Sequence, residues 1–284
     1  MMQDLRRRHR SMVAFALVTF LLCATPSFAG KKKTKKKKAP TTVTQPAADT
    51  AGTTMQTPAT ALPAQNLLPA SDNKSVAASE RELEAVLTQI DRASENFRSC
   101  EADFVWEQYQ RVVDEHDVQK GRVYFLHHEK DIHMAADVQS PETKYLLFSE
   151  GKVRLYQPKI EQVTEYDVGK KKAEFESFLV LGFGGRGHDL PSAFQVSYQG
   201  TETMEGTKVV KLDLVPKAAK VHNMFDHITV WVDATRDVSL KQQFFEPSGD
   251  YRIALYSNFK MNQKINDDVF KLKISSRTKV VRPQ

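Results

Sequence analysis

Residues 144–166, KYLLFSEGKVRLYQPKIEQVTEY, constrain the fold of this chain more than any other stretch, because they read as three consecutive antiparallel strands. Ser149-Glu150-Gly151-Lys152 places a glycine where a tight hairpin needs positive φ, and Pro158 marks the second corner after β-branched, aromatic and leucine residues. Alternation within the meander is incomplete. Leu147, Val153 and Leu155 are expected on one face, and Leu146, Phe148 and Tyr156 on the other. A sheet wet on one side shows clean alternation, so surplus apolar positions require a second layer or an apolar ligand to cover them.

The flanks extend the β pattern. Strand-like runs occupy 102–113, 121–128 and 131–138 before the meander, and 194–198, 208–215, 227–233, 239–246 and 251–262 after it. By parity the inward candidates are Phe104, Trp106, Val123, Phe125, Ile132 and Met134, joined from the meander by Leu147 and Leu155. Ahead of the strands, Ser79 with Glu82 forms a capping box, and Leu83, Val86, Leu87, Ile90, Ala93 and Phe97 recur at helical spacing. Residues 173–183 break the β pattern. Phe175, Phe178, Leu179 and Leu181 favour a short apolar helix ending at a glycine-rich loop, the composition of a mobile lid. Together these elements predict a mainly β chain with helices (α+β), in which a curved antiparallel sheet of about eleven strands forms an incomplete β-barrel. Helices cover it, and it encloses an apolar cavity.

The first quarter of the chain reads differently. Arg6, Arg7, Arg8 and Arg10 precede an apolar core over 12–24, and Ser27-Phe28-Ala29 offers the small residues of a signal-peptidase site, so residues 1–29 read as a secretory signal directing the chain to the periplasm. An uncleaved inner-membrane anchor is the rival, because Lys31–Lys38 follows at once; the apolar run falls short of the roughly 20 residues of a membrane span. Residues 30–78, Lys-rich and then rich in Ala, Thr and Pro, read as a disordered tether, and 79–284 as the folded domain.

The sequence pI of 9.1 belongs to that leader. Residues 1–38 hold 11 Lys and Arg against one acid, leaving 30 bases against 34 acids elsewhere, a net of −4 that argues against a folded nucleic-acid-binding surface. The lysines themselves suit contact with an anionic membrane. With Cys23 discarded, Cys100 is the one cysteine of the exported chain, which excludes an internal disulfide.

Catalytic signatures are missing: there is no Gly-x-Ser-x-Gly elbow and no His-Glu-x-x-His. No enzyme activity and no cofactor are expected. His127, His128 and His133 lie across a hairpin and could ligate a metal or serve a hydrolytic site, but no carboxylate trio accompanies them, so rim histidines are the expectation.

Several stretches in order carry a resemblance: Ala102-Asp103-Phe104, Gly121-Arg122-Val123-Tyr124, Ser140-Pro141, Phe148-Ser149-Glu150-Gly151-Lys152 with Tyr156-Gln157-Pro158, and Tyr256-Ser257-Asn258-Phe259-Lys260-Met261-Asn262 followed by Ile265-Asn266-Asp267-Asp268-Val269-Phe270. Over roughly 80–281 the chain resembles the LolA-type periplasmic outer-membrane lipoprotein carriers. The resemblance implies an incomplete β-barrel whose helix-covered apolar concavity receives lipoprotein acyl chains from an inner-membrane ABC transporter, for delivery to an outer-membrane acceptor. Where that family usually has an Arg-Pro pair and a second arginine before an aromatic, this chain has His127-His128-Glu129-Lys130 and then His133-Met134. A paralogue carrying another lipid, or a membrane-tethered interaction module, is therefore the alternative.

Overall fold

The structure, a computed structural model, describes residues 72–128, 131–169, 176 and 178–283. The expected signal peptide, Lys31–Lys38, nearly all of the tether and lid residue Phe175 lie outside the described residues. Among those described, no helix is long and apolar enough to cross a membrane.

Helix α1 spans Asp72–Glu95. It begins seven residues ahead of the expected Ser79 cap, because Ala77-Ala78 are strong helix formers and nothing before Ser79 interrupts the turn. Its buried stripe is Val86, Leu87 and Ile90, continued by Phe97 just after the helix, while 78–82, 84 and 85 face solvent.

The strands follow as β1 (Ser99–Gln110), β2 (Glu115–His128), β3 (Asp131–Ser140), β4 (Lys144–Ser149), β5 (Lys152–Gln157) and β6 (Gln162–Asp167). After the short helix α2 (Leu190–Ala193) come β7 (Phe194–Met204) and β8 (Thr207–Pro216); after α3 (Ala219–His222) come β9 (His227–Asp233), β10 (Val238–Phe245), β11 (Tyr251–Met261) and β12 (Lys279–Val281). They form one twelve-stranded sheet in the order β12-β6-β5-β4-β3-β2-β1-β11-β10-β9-β8-β7. Every pairing is antiparallel except β12 beside β6. The sheet does not close: β12 and β7 are its edges.

The eleven expected strands are all present, and β12 is the addition. Its three exposed residues alternate too briefly to signal a strand, and it exists because residues 262–278 carry the chain back to the β6 edge. Register shifts in the β1–β11, β2–β3, β7–β8 and β9–β10 pairs add local bends to the twist every sheet carries, which curls this one around α1 and residues 178–187.

Two apolar clusters fill the curl. One gathers Phe97, Phe104, Phe125, Met134, Phe148 and Phe183 on β1–β5, β10 and β11. The other packs Val86, Ile90 and Leu181 on Leu212, Leu214, Ile228 and Val230 of β8 and β9.

The parity within the meander differs from expectation. Leu146 is the cross-strand partner of Leu155 and Phe148 that of Val153, so these four share the inner face. Leu147 is opposite Ala135 and Arg154, on the outer face under residues 266–273. Both faces of β4 are covered, so its buried residues could not be sorted by alternation.

Candidate functional site

Cross-strand partners point to the same side of a sheet, so the register defines the concave surface residue by residue. From one end it runs through Leu155 and Val153, Leu146 and Phe148, Ala136 and Met134, Val123 and Phe125, and Ala102 and Phe104. It continues across the β1–β11 seam, where Phe104 faces Tyr256 and Trp106 faces Ala254, to Gln242, Val230 and Leu212. This surface is apolar for nearly its whole breadth, with Gln242 and Arg252 as polar insertions.

Residues 178–184 lie within that concavity as a plug. Phe183 stacks on Phe125 with ring centroids 4.3 Å apart and meets Tyr256 edge-on at 4.9 Å. It also bridges Val238 of β10, and Ser239 donates its backbone N–H to the Gly182 carbonyl at 2.7 Å. Gln242 Nε2 donates to the Leu181 carbonyl at 2.5 Å, and the Tyr256 hydroxyl donates to Gln242 Oε1 at 3.4 Å. The plug follows the sheet this closely because Gly182 and Gly184 have φ of +70° and +77° and no side chain. A Cβ at Gly184 would lie 2.5 Å from Phe97 Cδ1, and one at Gly182 would collide with Ser239 Oγ.

Under the plug remains a cavity of about 110 Å³, lined by Trp106, Val123, Phe125, Met134, Phe178, Leu179, Phe183 and Tyr256 among others. Of the residues expected to line an apolar site, Trp106, Val123, Phe125 and Met134 meet there with Phe178 and Leu179 of the expected lid. Phe104 stacks behind Trp106 at 3.8 Å, and Leu155 belongs to the same core without reaching the cavity. Ile132 lines a second cavity beyond the plug, and Leu147 a third on the outer face.

The structure separates the histidine cluster. His127 faces Ile132 across the β2–β3 ladder and His133 faces Leu126, so the two imidazoles project to opposite sides of the sheet. His127 packs on Phe97, and burial, aided by Arg98, pushes its pKa down, so the neutral imidazole is favoured; His133 instead meets Phe270 on the outer side. Among the described residues no group of three His, Cys, Asp or Glu is placed to hold a metal ion.

Sequence reasoning missed the C-terminal wall: Gln242, Phe244, Arg252, Ala254 and Tyr256. Their alternation was readable, but which face looked inward depends on the β1–β11 pairing between segments about 150 residues apart. Arg252 Nη2 pairs with Glu246 at 2.8 Å, and burial pushes the Tyr256 hydroxyl far above the usual phenol range. Three buried polar atoms have no protein hydrogen-bond partner and belong to residues near the plug's glycines: His127 Nε2, Ser239 Oγ and Asp237 Oδ2.

Comparison with known proteins matches residues 95–273, more than half of the chain, to the family described as outer membrane lipoprotein carrier protein LolA. No curated protein sequence matches it. Among solved structures, the chain is similar to an uncharacterized conserved protein from Thermus thermophilus, at 13% identity and a TM-score of 0.47, covering 71% of this chain and 99% of that one. It is also similar to the MucA/MucB complex structure from Pseudomonas aeruginosa (11% identity, TM-score 0.43, 67% of this chain and 61% of that one). A LolA superfamily protein from Nitrosomonas europaea has 12% identity and a TM-score of 0.35, covering 67% and 97%.

Proposed function

Because the chain belongs to the outer membrane lipoprotein carrier protein LolA family, we propose that it binds lipoprotein acyl chains, or those of a related lipid, on its concave face and carries them across the periplasm. In this reading it takes cargo from an inner-membrane ABC transporter, passes it to an outer-membrane acceptor, and performs no catalysis. Trp106, Val123, Phe125, Ile132 and Met134 receive the chain, backed by Phe104 and Leu155, and Phe178 and Leu179 act in the lid.

The observation that carries the proposal is the plug: an apolar concave face filled by a segment of the same chain. The cavity left beneath it is about 110 Å³, below the roughly 300–1,000 Å³ of ligand pockets, so cargo enters as the plug leaves. Such an exchange is apolar for apolar. Each methylene that takes the place of plug side chains is withdrawn from water at about 0.8 kcal/mol, offsetting the exposure of Phe183 and its neighbours.

Ahead of the carrier domain, residues 1–29 serve in this proposal as the export signal and the Lys-rich segment as a tether that draws the carrier to anionic membrane. The test is binding of a pyrene-labelled acyl ester to the purified protein, followed by fluorescence and competed by a triacylated lipopeptide. Saturable, competed binding that Trp106→Glu lowers at least tenfold is expected, because the glutamate would carry an unpaired charge into an apolar space. A wild-type protein that binds neither probe overturns the reading.

A further inference from the structure

Beyond the plug lies the second cavity, about 340 Å³, a volume within the range of ligand sites. Much of its wall is apolar, from Ile90 of α1, Ile132 of β3, Val180 and Leu181 of the plug, and Val230 and Val232 of β9, with Glu176, Arg186 and Asp189 among the remaining lining residues. One fully buried acid, Asp237, also lines it. Asp237 stands in the turn between β9 and β10 at φ +51°, is 1% exposed, and its Oδ2 has no hydrogen-bond partner.

A largely apolar site with a few placed polar groups is the arrangement by which proteins orient an amphipathic ligand, and Asp237 is the fully buried one here, able to fix one end. A buried carboxyl oxygen left without a partner costs free energy that a bound group could recover. We propose that this second cavity is a subsite for the hydrogen-bonding head of an acylated cargo, an ester, amide or hydroxyl group, and that Asp237 is the residue that meets it. The inference rests on the carrier reading and extends it, placing the acyl chain at Phe125 and Met134 and its polar joint on the other side of the displaced plug.

The surroundings support an uncharged contact. The charged groups facing Asp237 are Asp91 on α1, Glu176 ahead of the plug, Arg186 and Asp189 after it, and Arg236 beside it, which is bound to Asp233. Burial, with repulsion from Asp91, pushes the Asp237 carboxyl up to about 8 against the pull of the Gly184 N–H, so at neutral pH it is an acid that can donate to a carbonyl oxygen or accept from a hydroxyl.

The test compares two fluorescent probes on the full chain, a pyrenyl-alkyl ester and the matching pyrenyl-alkane that lacks the head. Asp237→Leu, which removes the hydrogen-bonding group, is expected to raise the Kd for the ester at least tenfold and to leave the alkane within twofold. Asp237→Asn, which keeps a donor and an acceptor and tolerates positive φ, should restore ester binding to within threefold of wild type. Ile90→Phe, which fills the same cavity from α1 without touching the turn, should repeat the ester-selective loss. Equal changes for both probes, or none for either in Asp237→Leu and Ile90→Phe, overturn the subsite while leaving the carrier reading intact. Absence of saturable binding of both probes by the unaltered protein overturns the carrier reading and the subsite with it.

Discussion

At Asp237 a single residue sets a pH dependence whose sign can be worked out. In the unfolded chain its carboxyl ionises near 3.8, and in the folded protein near 8, so between these values the native state holds the extra proton and stability declines as pH rises, levelling off above about 8. Asp237→Asn removes that slope. Urea unfolding of the two proteins at pH 5 and pH 8 should show the variant gaining on wild type by on the order of a few kcal/mol at the higher pH; an equal difference at both would mean that the native carboxyl ionises normally. Asp237 was not legible in the sequence, where it is one more aspartate in a turn, because its burial is imposed by Gly184 folding over it from more than 50 residues away. Trp106, Phe125 and Met134 were legible, since the bulky apolar residues Phe104, Trp106, Val123, Phe125, Ile132 and Met134 of β1–β3 fall on one parity, whereas Leu147 was misassigned because β4 has apolar neighbours on both sides.

Among elements, the plug is the one whose removal tests the most. Phe183→Ala deletes the ring stacked on Phe125 and should cost about 3–5 kcal/mol of stability by the usual measure for a buried phenylalanine. It should also speed uptake of an acyl ester in stopped flow, because less apolar contact has to be broken. Slower uptake would show the ring to be a part of the binding surface rather than a stopper. The segment after the plug is tied down by His188, whose Nδ1 meets Asp91 Oδ2 at 2.5 Å and whose Nε2 meets Glu84 Oε1 at 3.0 Å on α1. Hydrogen bonds to Asp91 and then Glu84 hold its pKa above the ordinary 6.5, so this tie is complete below pH 6.5 and is lost as pH rises through the raised value. Amide-exchange protection over residues 187–193 should therefore fall between pH 6 and 9 in wild type and stay level in His188→Gln. The three strands of the meander were readable because each turn has its own signal, Gly151 or Pro158. The start of α1 was not, since a good internal capping box at Ser79 does not end a helix that better formers extend.

For the whole molecule, the proposed reading assigns the Lys-rich segment and the folded domain separate jobs. A chain beginning at Asp72 should bind acyl ester as the full chain does but sediment less with anionic vesicles at low salt, and the difference should vanish near 1 M salt, where the Debye length is about 3 Å. Equal sedimentation at low salt would leave Lys31–Lys38 with no membrane role. The strand order has a consequence of another kind. β1 to β6 form by successive neighbours, and so do β7 to β11, but the concave face is joined into one surface only when β1 meets β11, pairing Phe104 with Tyr256 and Trp106 with Ala254. That contact spans about 150 residues of chain, and loops of this length make it the slow step of folding, after each half has assembled locally. Until that contact forms, the chain has two half-sheets and no container. On the proposed carrier reading, a copy in which β1 and β11 have not yet met has no surface on which to hold an acyl chain.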